Sequence, residues 1–121
     1  MHRHPLRRAA AAIATAGLLM TLTACGGEEA PGSDEPVVID ITIKDGKVTP
    51  AGDTVKVGVN QPVDLVVDAD SAGTLHVHSD PEHEFAYGEG TETFKLAVPR
   101  PGVVEVETHD PDYIVVKLEV R

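Results

Sequence analysis

Four of the six histidines lie beyond the N-terminal leader, which holds His2 and His4, and they are the residues that could do chemistry: His76, His78, His83 and His109. His76 and His78 stand two apart in Thr74-Leu75-His76-Val77-His78. On an extended strand both point to one face, with Leu75 and Val77 on the other. Two imidazoles side by side can chelate one divalent or cuprous ion once a third ligand arrives from elsewhere. His83 follows in the acidic stretch Ser79-Asp80-Pro81-Glu82-His83-Glu84, and His109 closes a later alternating segment. A sheet that sets His109 beside the His76 strand would assemble a three-histidine site, with His83 or Glu82 as auxiliary. The plainer alternative is a pair of histidines on an outer strand face, merely solvated or hydrogen-bonded, since the spacing is necessary for chelation but not diagnostic of it. No nucleophile elbow and no phosphate-cradling glycine loop accompany them. The carboxylates form no recognisable acid–base arrangement, so the expectation is a protein that is not an enzyme.

The elements that must position these histidines are short β-strands. Ile39, Ile41 and Ile43 alternate with Asp40, Thr42 and Lys44, and Val55, Val57 and Val59 with Lys56 and Gly58. The same period of two runs through Val63-Leu65-Val67, Phe94-Leu96-Val98, Val104-Val106 and Val116-Leu118-Val120. One apolar face per strand predicts antiparallel strands covering a core from one side. Turn signals separate them at Asp45-Gly46, Pro50-Ala51-Gly52-Asp53, Asn60-Gln61-Pro62, Ser71-Ala72-Gly73, Gly88-Glu89-Gly90, Pro99-Arg100-Pro101-Gly102 and Asp110-Pro111-Asp112. Seven or eight strands at this spacing predict an all-β, Greek-key β-sandwich. The segment 79–90 reads as a loop.

The first part of the chain is of a different kind. Arg3, Arg7 and Arg8 precede an uncharged Ala/Leu-rich run from Ala9 to Ala24, which ends in Leu22-Thr23-Ala24-Cys25. This is the layout of an export signal. At 16 residues the run is short for a transmembrane span, which needs about 20. The last four residues resemble the lipobox of bacterial lipoproteins. That resemblance implies cleavage before Cys25, acylation of its thiol (palmitate-type chains) and a lipid anchor in the cell membrane, with the domain on the extracytoplasmic face. The expected organisation is a signal peptide over 1–24, a lipidated Cys25 with a Gly-, Pro- and acid-rich tether over 25–36, and one domain over 37–121.

All 20 Asp and Glu follow Cys25 while three of the ten Lys and Arg precede it, so cleavage would take the formal charge from −10 to −13. So acidic a chain excludes nucleic acid as a partner, because phosphate contacts require basic patches. It also disfavours broad contact with anionic headgroups, which leaves the lipid anchor as the link to the membrane. Most of the acids read as solubility.

Lys47-Val48-Thr49-Pro50, the run from Thr54 to Val67, Leu75-His76-Val77-His78 and the stretch from Pro101 to His109 together resemble a cupredoxin-like domain, covering nearly all of 37–121. The resemblance implies a first copper histidine on the strand of His76 and His78. It implies a cysteine ligand near the end of the strand after the Pro-Gly turn, then a second histidine and usually a methionine. Counted from Gly102, the cysteine position falls on Thr108; no histidine follows His109, and the two methionines, Met1 and Met20, belong to the leader. A type 1 or thiolate-bridged copper centre needs that thiolate. The expectation is therefore a cupredoxin-like binding or accessory module, not a type 1 electron carrier. Its cofactor, if it has one, is copper or another transition metal on His76, His78 and His109. The competing expectation is a metal-free domain that meets a protein partner through its acidic surface or the 79–90 loop. A third rests on His76-x-His78-x-x-x-Glu82, which resembles the first motif of the cupin metalloenzymes. That motif wants a glycine where Asp70 stands, and its second half wants a histidine nearer Gly102 than His109 lies.

Overall fold

The computed structural model describes residues 34–121; the expected signal peptide and Cys25 lie outside the described residues, as does most of the tether. The alternating segments form nine strands: β1 (Val37–Lys44), β2 (Lys47–Thr49), β3 (Asp53–Val57), β4 (Val63–Ala69), β5 (Gly73–Val77), β6 (His83–Tyr87), β7 (Gly90–Leu96), β8 (Gly102–His109) and β9 (Asp112–Val120). They make a four-stranded sheet of order β2-β1-β4-β7 and a five-stranded sheet of order β3-β9-β8-β5-β6. The excess over the expected number comes from β2, only three residues long, and from β6, which occupies part of the segment read as a loop. In β6 the residues that face inward are His83, Phe85 and Tyr87, separated by Glu84 and Ala86, so no aliphatic alternation advertises it.

The core is the interface between the two sheets. Ile39, Ile41 and Ile43 of β1 and Val63, Leu65 and Val67 of β4 meet Leu75 and Val77 of β5, Val104 and Val106 of β8, and Val116, Leu118 and Val120 of β9 in one buried cluster. Side chains of opposite parity point to solvent, as the pleat demands.

Two pairings differ from the antiparallel expectation. β1 lies parallel to β4, with Val37 opposite Val63 and Ile43 opposite Ala69, and β3 lies parallel to β9. Alternation reports which face of a strand is buried and says nothing of the neighbour's direction. Here the chain leaves β1 through the β2 hairpin, crosses to the other sheet for β3, and returns as β4 beside β1. The hairpin turns on Asp45 and Gly46, both at positive φ (54° and 68°), the primed geometry that Asp-Gly adopts most readily.

A β-bulge decides which residues share the outer face of the five-stranded sheet. Val106 of β8 pairs with Val116, but Glu107 pairs with Ile114, so Val115 is the extra residue. Both Val115 and Val116 are buried. Beyond the bulge the register is displaced by one, and His109 faces Asp112. An unbroken register would have set Tyr113 there.

Tyr87 closes one end of the core. Its ring lies across the backbone of Gly73, its partner between β5 and β6; a Cβ at Gly73 would stand 2.3 Å from the phenolic oxygen. Burial, with the charge of Asp110 adding to it, raises the phenol above its usual 10.0. The neutral form is thus favoured in the folded state, and its contribution is whole below about pH 10 and lost as pH climbs through the raised value. The denaturant midpoint is expected to fall above pH 10, and less steeply in Tyr87→Phe. Parallel falls in the two proteins would show that Tyr87 has no part in it.

Candidate metal centre

β5 is a central strand flanked by β8 and β6, with Leu75 and Val77 fully buried on its inner side. His76 and His78 therefore project from the outer face, as their spacing predicts. Their rings lie 4.3 Å apart, centroid to centroid, tilted by 44°. The turn after β5 brings Glu82 back over both. His76 Nε2 is 3.4 Å from Glu82 Oε2, and His78 Nδ1 is 3.7 Å from Glu82 Oε1. One ligand atom from each of the three residues lies within 4.8 Å of the others. A tetrahedral ion with bonds of about 2.0–2.1 Å needs ligand atoms about 3.3–3.4 Å apart, so small side-chain rotations close this triad on a metal.

β8 supplies the other side. His109 Nε2 lies 3.3 Å from His76 Nδ1, so one nitrogen of the His76 ring faces Glu82 and the other faces His109. In the neutral rings one of this nitrogen pair donates and the other accepts, the kind of outer contact that fixes the tautomer of a ligating imidazole. Glu107, directly opposite His76 in the β5–β8 register, pairs through Oε1 with His78 Nε2. Sequence reasoning passed over Glu107. Its spacing of two from His109 put it on the same face, but nothing in the sequence said that β8 runs beside β5.

His83 does not join the group. It pairs with Val77, whose side chain faces the core, and its ring stacks on Phe85 at 5.9 Å with an interplanar angle of 2°. The expectation that His83 could serve as an auxiliary ligand is corrected by the parity of β6: His83 sits on the inner face and the other histidines on the outer one. Glu82, the alternative auxiliary, is the residue brought to the pair.

Thr108 is fully buried opposite Leu75, and its hydroxyl donates to the carbonyl of Pro111 at 2.6 Å. It faces the core while His76, His78 and His109 face outward, so one ion cannot touch both sides of the sheet. No cysteine or methionine occurs among the described residues. The ligand set of a type 1 copper site does not fit this domain, and the histidine cluster is not such a site with one ligand exchanged.

The acids around the cluster also stand apart from those elsewhere. Asp64, Asp68, Asp80, Glu105 and Glu119 each pair with a lysine or arginine. Glu82 and Glu107 pair with imidazoles, and among the described residues neither has a lysine or arginine partner.

Comparison with solved structures finds copper proteins of similar fold. A copper nitrite reductase from Nitrosomonas europaea superposes with a TM-score of 0.51 at 14% identity, over 72% of this chain and 42% of that one. The fold is cupredoxin-like. A Cu(I) form of an amicyanin variant matches with a TM-score of 0.49 at 15% identity, over 69% of this chain and 82% of its own. Auracyanin A, a "blue" copper protein from Chloroflexus aurantiacus, matches with 0.47 at 16%, over 72% and 100%. The chain spans under half the length of the nitrite reductase. No protein-family model and no curated protein sequence matches it. The spacing His76-x-His78-x-x-x-Glu82, which resembles part of a cupin motif, here gathers the three residues through a strand and the turn that follows.

Proposed function

We propose that this chain is a lipid-anchored, extracytoplasmic protein whose cupredoxin-like domain binds copper or a related transition ion on the outer face of its five-stranded sheet. His76, His78 and Glu82 hold the ion, and His109 stands against His76. The observation that carries the reading is the convergence of two imidazoles and one carboxylate, from a central strand and its turn, with no lysine or arginine among the described residues to neutralise the acid. Two imidazoles with a carboxylate suit Cu(II) and Zn(II), and of the two Cu(II) binds a given nitrogen and oxygen donor set the more tightly. With no thiolate to tune a redox couple, the chemistry is carriage or sensing of the ion rather than type 1 electron transfer. Glu82 is largely exposed and His78 partly so, which lets an ion enter and leave from solvent. The anchor rests on the resemblance of Leu22-Thr23-Ala24-Cys25 to a lipobox.

The test is residue-resolved. Substoichiometric Cu(II) added to the isotope-labelled full chain should broaden the amide signals of residues 75–78 and 82 first. Those of Ile41 and Val67 in the opposite sheet should persist. Broadening confined to the N-terminal histidines, or spread evenly over the acidic turns, would overturn the reading in favour of a metal-free domain.

A further inference from the structure

The geometry points to a second cation site beside the first, made by Glu107, His109 and Asp112. It deepens the reading above, because the two sites would share one sheet face and Glu107 borders both. One ligand atom from each of these three residues lies within 4.8 Å of the others.

The backbone builds this triad. Glu107 and His109 are two apart on β8 and so share a face, while Asp112 is the direct partner of His109 across the β8–β9 hairpin. The bulge at Val106/Glu107 is what delivers Asp112, since the undisplaced register would have set an aromatic residue opposite His109. Bulges commonly re-aim side chains next to functional sites. The design repeats that of the first site: a pair at i and i+2 on a strand, completed by a carboxylate that a turn or hairpin brings over it.

The donor sets differ. The first site has two imidazoles and one carboxylate; the second has one imidazole and two carboxylates. Carboxylate-rich sites favour harder divalent ions, and imidazole with carboxylate oxygen is within the range of zinc. The second site accordingly takes a zinc-type divalent ion. Glu107, only 19% exposed, meets His78 Nε2 through Oε1 and also belongs to the second triad. Its carboxylate thus stands between the two sites. Two divalent cations here would offset three carboxylates, those of Glu82, Glu107 and Asp112, in a surface patch that also contains three histidines.

Calorimetric titration of the full chain with Zn(II) separates the two sites when it is run on the wild type, on Asp112→Ala, and on a His76→Ala/His78→Ala double variant. Asp112 is exposed and outside the core, so its loss leaves the sandwich intact, which a thermal melt verifies. Asp112→Ala is expected to bind one equivalent fewer than wild type, and the double variant to lose a different equivalent. Wild-type stoichiometry and affinity in Asp112→Ala would overturn the second site while leaving the first untouched. Loss of an equivalent in Asp112→Ala with none lost in the double variant would uphold the second site and overturn the first.

Discussion

Alanine at both His76 and His78 is expected to weaken copper binding by a factor on the order of 100 or more while the domain stays folded. Losing a residue that merely orients a ligand costs 10- to about 100-fold in affinity, and here two of three ligating groups go. Glu82 would remain as a lone, largely exposed carboxylate with no chelating partner. The fold survives because both rings project outward, and Leu75 and Val77 between and before them supply the buried surface of β5. Losing the pairing of His78 with Glu107, whose carboxylate is mostly covered, costs about 1–3 kcal/mol, which is less than the domain's stability. Competition against a chelator of known affinity, alongside a thermal melt, is the measurement. Equal copper affinity in the two proteins would remove the first site. A collapse of the melt would show instead that the imidazoles are part of the structural framework.

The second large effect concerns the strand that carries those histidines. Truncating Leu75 to alanine should cost about 2–5 kcal/mol, through lost apolar burial and the cavity left behind. Leu75 has no exposed surface and lies on the middle of β5, with Phe85 opposite it on β6 and Thr108 on β8. A domain of this size has only about 5–15 kcal/mol in hand, and each kcal/mol shifts its melting temperature by about 4–8 °C. The variant should therefore melt about 8 °C lower or more, and Leu75→Ile should recover most of the difference. A wild-type melt for Leu75→Ala would mean that β5 presents the wrong face to the core, and with it that His76 and His78 are misplaced.

Much of this molecule is legible one strand at a time. The alternation of Ile39, Ile41 and Ile43, or of Val116, Leu118 and Val120, names the buried face because side chains on a strand alternate strictly. The same rule places His76 and His78 together and opposite Leu75 and Val77. The Asp45-Gly46 turn is readable because few residues other than glycine, asparagine and aspartate take positive φ at low cost. β6 escapes because its buried face is made of His83, Phe85 and Tyr87 rather than aliphatics. For the same reason His83 passes for a loop ligand when it is an inward-facing neighbour of Phe85.

What the sequence by itself determined is local: most strand positions and the buried face of each, the acidic charge, the absence of a sulfur ligand after Cys25, and the shared outer face of His76 and His78. Tertiary structure alone decided which strands are neighbours. It set β8 beside β5, brought Glu107 to His78 and His109 to His76, ran β1 parallel to β4, and used one extra residue at Val115 to bring Asp112 opposite His109. The division has a physical cause. A side chain's face follows from the two-residue period of its own strand, which is written in adjacent residues. Its neighbours follow from how two whole sheets bury their apolar faces together, and that is settled by packing among residues far apart in the chain.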